Sequence, residues 1–327
     1  MADTDRSRIA GDYRRFAEAA AGGRSPLYAT LSVAAAEDDL VLDLLESLPA
    51  DRRQPMLLFG AMAFLSGAPA GPDELHARIR DEGDRIRETM RARFTQTNEP
   101  GRCTALITAL GEIDGPVGLV EVGSSAGLCL YPDRYSYEFD GRPVGRRSTV
   151  HLTCTTTGPV PVPERLPDVV ARVGIDRNPL DPADPDDRAW LRALIWPGPN
   201  AAPRRDRLDA AAEIAAAEPA TVLTGDLIDL LPAALERLPA DCTPVVFHTA
   251  VLIYLERARR EEFAALVRAL GVRWIAQESA GVVTGVPRDL GSPADFVLSL
   301  DGRPLALTAP HGGRIDWLPG AREIIAG

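Results

Sequence analysis

The chain has 327 residues, of which 45% are hydrophobic and 25% charged. At ~150 residues per domain this is room for about two domains, with a sizeable core, and it excludes global disorder. Acidic residues outnumber basic ones 47 to 36, a net charge of −11, which speaks against a nucleic-acid partner, since phosphates need clustered positive charge. All 36 basic residues are arginine, so mechanisms that need a lysine amine, such as a pyridoxal Schiff base or a Walker-type phosphate loop, are excluded.

Four cysteines (Cys103, Cys129, Cys154, Cys242) and four histidines (His76, His151, His248, His311) are scattered without ligand spacing. Neither a disulfide framework nor a metal centre is expected. The longest apolar run, Met56 to Leu65, is about half of a bilayer span, and no membrane partner is expected. Residues 1–16 are charged and hold no apolar signal core, which points to the cytoplasm.

In chain order, the first third reads helical: Ile9 to Ala21, Tyr28 to Leu48 with Asp38 and Asp39 on a polar face, Gln54 to Ser66, and Asp73 to Arg93. No period-two strand is evident before residue 117. From Val117 the texture changes. Val117–Gly123 is a buried strand ending in glycine, and Tyr135–Asp140 and Thr149–Thr156 are β-like pieces separated by GRPVG. Val169–Asp176, Thr221–Gly225, Pro244–His248 and Val272–Gln277 are further strands. Helices are expected at Asp186–Ile195, Arg205–Ala217, Leu227–Leu238 and Arg257–Leu270. Phe296–Leu300 and Leu305–Ala309 flank Asp301-Gly302, a hairpin signal. The alternation predicts a mostly parallel sheet with helices on both faces and an antiparallel edge.

Glu121-Val122-Gly123-Ser124-Ser125-Ala126-Gly127-Leu128 joins a strand to an apolar segment read as a helix start. Small residues let the backbone turn tightly and a ligand approach closely, and a helix N-terminus there would offer free N–H groups. A dinucleotide fingerprint wants glycine where Ser125 stands. G-x-S-x-G also fits residues 123–127, with Ser125 as a nucleophile and His311 as its base, but a long helical region precedes this turn in place of the expected strands. A tight turn without ligand is the bland alternative. The order of landmarks best resembles the S-adenosylmethionine site of class I methyltransferases. In that likeness Glu121, Gly123, Ser124, Ser125 and Gly127 form the cofactor loop, Asp176 holds the ribose hydroxyls, and Asp226 meets the adenine edge. Glu121 to Asp176 is longer than the usual interval of about 20 residues, which implies an insertion at about 135–165 and makes Asp140 the alternative ribose ligand.

SPLY (25–28), RQP (53–55), QTNEPGR (96–102), EVGSSAGL (121–128), DRY (133–135), GID (174–176), WLRALIWP (190–197) and VVFHTAVLIYL (245–255) together resemble a bacterial family catalogued as domain of unknown function 2332. The family pattern has Asn after the loop Leu, where this chain has Cys129. The likeness implies a fold and leaves the activity open.

The polar island 95–102 reads as a helix cap at Thr97 or Asn98 with Pro100 in the first turn, and Gln96, Asn98 and Glu99 are candidates for substrate contact together with Tyr254. Arg102 is a candidate partner for Glu121. His248 ends a buried strand at the carboxyl edge, where ligands bind in open α/β sheets, and is the candidate catalytic base; Glu278 ends the last parallel strand near the same edge. Trp190 and Trp196 read as packing residues, and His311 as part of the last turn. The expectation is therefore an α/β protein: an N-terminal helical region over 1–115, then a seven-stranded, Rossmann-like class I methyltransferase sheet over 116–327 with a β-rich insertion after its first helix. It would transfer a methyl group from S-adenosylmethionine to a small molecule. A hydrolase using Ser125 and a non-catalytic binding protein on the same fold are the alternatives.

Overall fold

A computed structural model describes residues 5–21, 25–292 and 294–321. The chain forms two compact units: residues 1–97 with 184–206, and residues 98–183 with 207–327. The expected break at residue 115 is thus replaced by one just before Asn98, and a segment around Trp190 joins the helical unit.

The helical unit contains α1 (Asp5–Ala21), α2 (Pro26–Ala35), α3 (Asp39–Glu46), α4 (Pro55–Ser66), α5 (Pro72–Ala92) and α7 (Pro185–Ala193). Proline opens α2, α4, α5 and α7, where its missing N–H costs nothing. The single helix expected over 28–48 is two. The Asp38 carboxylate accepts the N–H groups of Leu40 and Val41, so it caps a new helix and does not sit on a polar face. Tyr13, Tyr28, Phe59 and Trp190 are fully buried in this unit, and the Trp190 indole N–H donates to Phe94 O.

The second unit begins with α6 (Cys103–Leu110) and holds β1 (Val117–Val122), β2 (Ser136–Phe139), β3 (Arg142–Val144), β4 (His151–Thr157), β5 (Val169–Asp176), β6 (Thr221–Thr224), α9 (Leu227–Leu235), β7 (Thr243–Thr249), α10 (Arg257–Leu270), β8 (Arg273–Ser279), β9 (Phe296–Leu300), β10 (Arg303–Thr308) and β11 (Arg314–Trp317). Helix α8 (Ala201–Ala217) runs across the division between units. Among the described residues no strand precedes β1, and no helix is long and apolar enough to cross a membrane.

All eleven strands join one mixed sheet in the order β3-β2-β4-β11-β10-β9-β8-β7-β1-β5-β6. Strands β6, β5, β1, β7 and β8 are parallel; β9, β10 and β11 continue antiparallel. The expected seven-stranded sheet is therefore too small. The insertion at 135–165 adds strands to the sheet: β4 pairs in parallel with β11 and β2 with β4. GRPVG is itself strand β3, closing a hairpin with β2.

Alternation along the strands sorts the two faces. Val120, Val122, Val173, Ile175, Val246, Trp274 and Ala276 pack with Leu227, Ile228 and Leu231 of α9 and Phe263, Ala264 and Val267 of α10. The intervening residues, Glu121 among them, face the side where α6 packs against β4, β8 and β9.

Candidate ligand-binding site

Along the sheet the chain moves outward from β1 in both directions, through β5 to β6 and through β7 to β8. In open α/β sheets ligands bind outside the carboxyl ends of the strands at such a reversal. At these ends lie the turn 123–127 after β1, Asp176 closing β5, Asp226 after β6, Thr249 and Ala250 after β7, and Glu278 on β8.

The turn after β1 differs from expectation. No α-helix follows it, only one 3-10 turn, Leu128–Leu130, because Gly127 is left-handed (φ +69°) and Pro132 stops propagation. The row of free helical N–H groups is absent, and most of the turn's donors are used internally. Gly123 N–H and Ser124 N–H reach Ile175 O at 2.7 and 3.1 Å, and Gly127 N–H reaches Ser124 O at 2.7 Å. Ser125 N–H donates to Asp176 Oδ2 at 2.7 Å and Leu128 N–H to Asn98 Oδ1 at 2.8 Å. Gly123 has φ +71°, and a Cβ there would stand 2.4 Å from Val251 Cγ2. The close approach that glycine permits is made by the Val251 side chain.

Three oxygens at this turn are buried without a hydrogen-bond partner: Glu121 Oε2, Ser124 Oγ and Ser125 Oγ. Glu121 is 1% exposed. Burial pushes its carboxyl well above the ordinary carboxylate range, with Cys129 and Asp176 adding to the effect and Arg102 opposing it. As a neutral acid it can both donate and accept. Ser124 Oγ lies over β5, where a Cβ on Gly174 would meet it at 2.5 Å. Ser125 itself holds a left-handed backbone (φ +52°), a strained state for a non-glycine residue.

Asp176 also accepts Asn178 N–H at 2.8 Å. Asp226 caps α9 through Ile228 N–H and pairs with Arg177 and Arg259. Burial raises its pKa, but Arg177 and the Ile228 N–H outweigh this and hold the carboxyl below the usual range. Asp140 sits on the β2–β3 turn, where it accepts Thr156 N–H at 3.1 Å; with β2 near the far edge of the sheet, its role as the alternative ribose ligand falls away.

The polar island is split. Gln96 belongs to the helical unit. Asn98 braces the glycine turn, and Glu99, not Thr97 or Asn98, makes the cap: it accepts Gly101 N–H at 3.1 Å and pairs with Arg207 at 2.8 Å. Arg102 donates to Thr249 O at 3.0 Å, Thr249 Oγ1 at 3.2 Å and Pro310 O at 3.0 Å; its link to Glu121 is electrostatic attraction.

His248 is buried with both ring nitrogens engaged. Trp274 Nε1–H donates to Nε2 at 3.0 Å, and Nδ1 lies 2.7 Å from Glu278 Oε1. An indole nitrogen only donates, so Nε2 carries no proton and Nδ1–H points to the carboxylate. In this arrangement His248 has no open nitrogen for a substrate proton, and the base role expected of it gives way to a structural one. Tyr254 is exposed, in the 3-10 turn Leu252–Tyr254 that follows β7. His311 lies in the β10–β11 turn, and Ser125 Oγ makes no hydrogen bond to it. Two residues escape sequence reading, Val251 and Trp274. The only local signal for Trp274 is its place opposite Val246 in the β7–β8 register.

A family model described as "Uncharacterized protein conserved in bacteria (DUF2332)" matches residues 10–317. Comparison with curated proteins and with solved structures gives no match. Because the family model spans both compact units and the whole carboxyl edge of the sheet, the chain belongs to the DUF2332 family.

Proposed function

We propose that the chain is an S-adenosylmethionine-dependent methyltransferase acting on a small molecule. The observation that carries this reading is the strand order β6-β5-β1-β7-β8, the 3-2-1-4-5 arrangement of nucleotide-binding sheets, with the glycine turn, Asp176 and Asp226 at the carboxyl ends of three adjacent strands. The orphaned oxygens of Glu121, Ser124 and Ser125 suit a ligand rich in hydrogen-bonding groups, since buried polar atoms call for partners.

When bound, the sulfonium supplies the electrophilic methyl group. In this reading Glu121, Gly123, Ser124, Ser125 and Gly127 hold the cofactor, with Asp176 and Asp226 along its nucleoside. Asp176 does so while fixing Ser125 N–H, so loop shape and ligand binding depend on one carboxylate. The protein's contribution to rate is placement of the nucleophile and exclusion of water. His248, held by Trp274 and Glu278, orients the Glu278 carboxylate.

A hydrolase reading draws on the left-handed Ser125 within G-x-S-x-G, the strain expected of a nucleophile elbow. It lacks the base that an attacking serine needs, since Ser125 Oγ meets no ring nitrogen. Isothermal calorimetry with S-adenosylmethionine and S-adenosylhomocysteine, beside fluorophosphonate labelling, separates the readings. Binding of both nucleosides without labelling is expected. Ser125-dependent labelling without nucleoside binding overturns the proposal, and binding with no methyl transfer to any acceptor favours a non-catalytic protein.

A further inference from the structure

Glu278 is 1% exposed, and its two carboxylate oxygens are treated unequally. Oε1 takes His248 Nδ1–H at 2.7 Å, Val251 N–H at 2.8 Å and Leu252 N–H at 2.9 Å. Oε2 is buried and meets no donor. All three donors on Oε1 are neutral, because Trp274 forces the neutral form of His248. Among the described residues no guanidinium lies within ion-pair distance of Glu278. A buried carboxylate with one bare oxygen and no counter-cation is expensive to keep in a fold, and a cationic N–H donor is the partner that compensates it best.

The same carboxylate fixes the turn beside it. Val251 and Leu252 N–H are held by Glu278, while Arg260 caps the other side by donating to Leu255 O at 2.8 Å and Ile253 O at 3.3 Å. This braced turn presents Ile253 and Tyr254 to solvent at 48% and 67% exposure. Tyr254 stands two residues beyond Leu252, in the same 3-10 turn whose first N–H Glu278 holds; burial pushes its phenol up, with Arg102 opposing and Glu278 adding to the shift. An aromatic face near an unpaired carboxylate is a receptor for an organic ammonium group.

We infer that Glu278 Oε2 and the ring of Tyr254 form a binding subsite for a small cationic amine. That this amine is the methyl acceptor rests on the proposed function; that it binds does not. The subsite lies at the carboxyl edge of β7 and β8; Glu278 faces the opposite side of the sheet from Glu121, and Val251, held by Glu278, adjoins Gly123 of the glycine turn.

The test uses the full chain and saturation-transfer NMR with phenethylamine and butylamine, against 3-phenylpropan-1-ol and 3-phenylpropionate as neutral and anionic counterparts. Both amines should bind in the millimolar range, phenethylamine more tightly, and the counterparts at least tenfold more weakly. Glu278→Gln is the informative variant: its amide oxygen keeps the three bonds to the Oε1 position and turns only the bare oxygen into a donor. It should weaken both amines about 10–100-fold, the effect of losing a charge-assisted bond. Tyr254→Ala, on the surface, should weaken phenethylamine more than butylamine. Equal binding to Glu278→Gln, no preference for cations, or no amine binding overturns the subsite. Adenosylhomocysteine titrated in parallel reads the cofactor proposal alone: its failure beside intact amine binding removes methyl transfer and leaves the amine site standing.

Discussion

Asp176 Oδ2 accepts the Ser125 N–H at 2.7 Å across the gap between the ends of β5 and β1. This bond ties the residue expected to meet ribose to the turn expected to meet the rest of the cofactor. The second oxygen accepts Asn178 N–H at 2.8 Å, so the carboxylate shapes the loops on both sides of the crevice before any ligand arrives.

Asp176→Ala should therefore reduce stability as well as ligand binding. Hydrogen bonds to a charged acceptor contribute about 1.5–3 kcal/mol each, and at least two are lost, so unfolding free energy in urea should fall by roughly 3–6 kcal/mol. Asp176→Asn keeps an acceptor for one N–H and should retain about half of the effect. An Asp176→Ala chain as stable as the wild type would mean that the carboxylate does not hold the turn.

Gly123→Ala should be costly for a reason outside the cofactor. Its Cβ would lie 2.4 Å from Val251 Cγ2, in a backbone with φ +71°. Strain of about 1 kcal/mol for a left-handed alanine adds to overpacking of about 1–3 kcal/mol. Val251→Ala in the same chain removes the two closest contacts, keeps Cβ at 3.1 Å and leaves the strain. The double variant should recover at least ~1 kcal/mol relative to additivity, and strict additivity in a double-mutant cycle would reject the contact.

The central sheet was legible because β1, β5, β7 and β8 are apolar runs bounded by turns, and their order follows from the strand–helix alternation. The far half was not. That β4 pairs with β11, residues 151–157 with 314–317, depends on a pairing between distant segments, to which no local pattern points. The turn after β1 departs from its sequence pattern at a single feature: Leu128-Cys129-Leu130 looks like a helix start, but left-handed Gly127 and Pro132 leave room for one 3-10 turn. At the site, alternation put His248 on a buried face, and it could not say that Trp274 from the next strand fills its second nitrogen.

Trp274→Phe tests that pair. The substitution removes the indole N–H together with the five-membered part of the ring, leaving His248 Nε2 buried without a donor beside a small cavity. The cost should be at least about 1–3 kcal/mol, the penalty of an orphaned buried acceptor with a cavity contribution added to it, seen as a lower urea midpoint with unchanged m-value. His248→Phe in the Trp274→Phe background removes both polar partners and should cost less than the two single changes combined; a sum equal to the separate costs would show that the two side chains do not interact.

Glu121 makes stability fall as pH rises. Its folded pKa is raised above the ordinary 4.5, first by burial and then by Cys129 and Asp176. In the window between the unfolded and folded values the native state holds a proton that the unfolded chain has released. Stability then decreases with pH, by up to ~1.4 kcal/mol per unit. The contribution is complete below the unfolded pKa and is lost as pH climbs toward the folded one. Glu121→Gln keeps the shape and removes the titration. Its stability relative to wild type should grow from little difference near pH 4 to a clear gain at pH 7 to 8, measured by urea unfolding across that range. A difference that stays flat with pH would mean that Glu121 ionises in the fold as it does in water, and that the carboxyl beneath the glycine turn is charged.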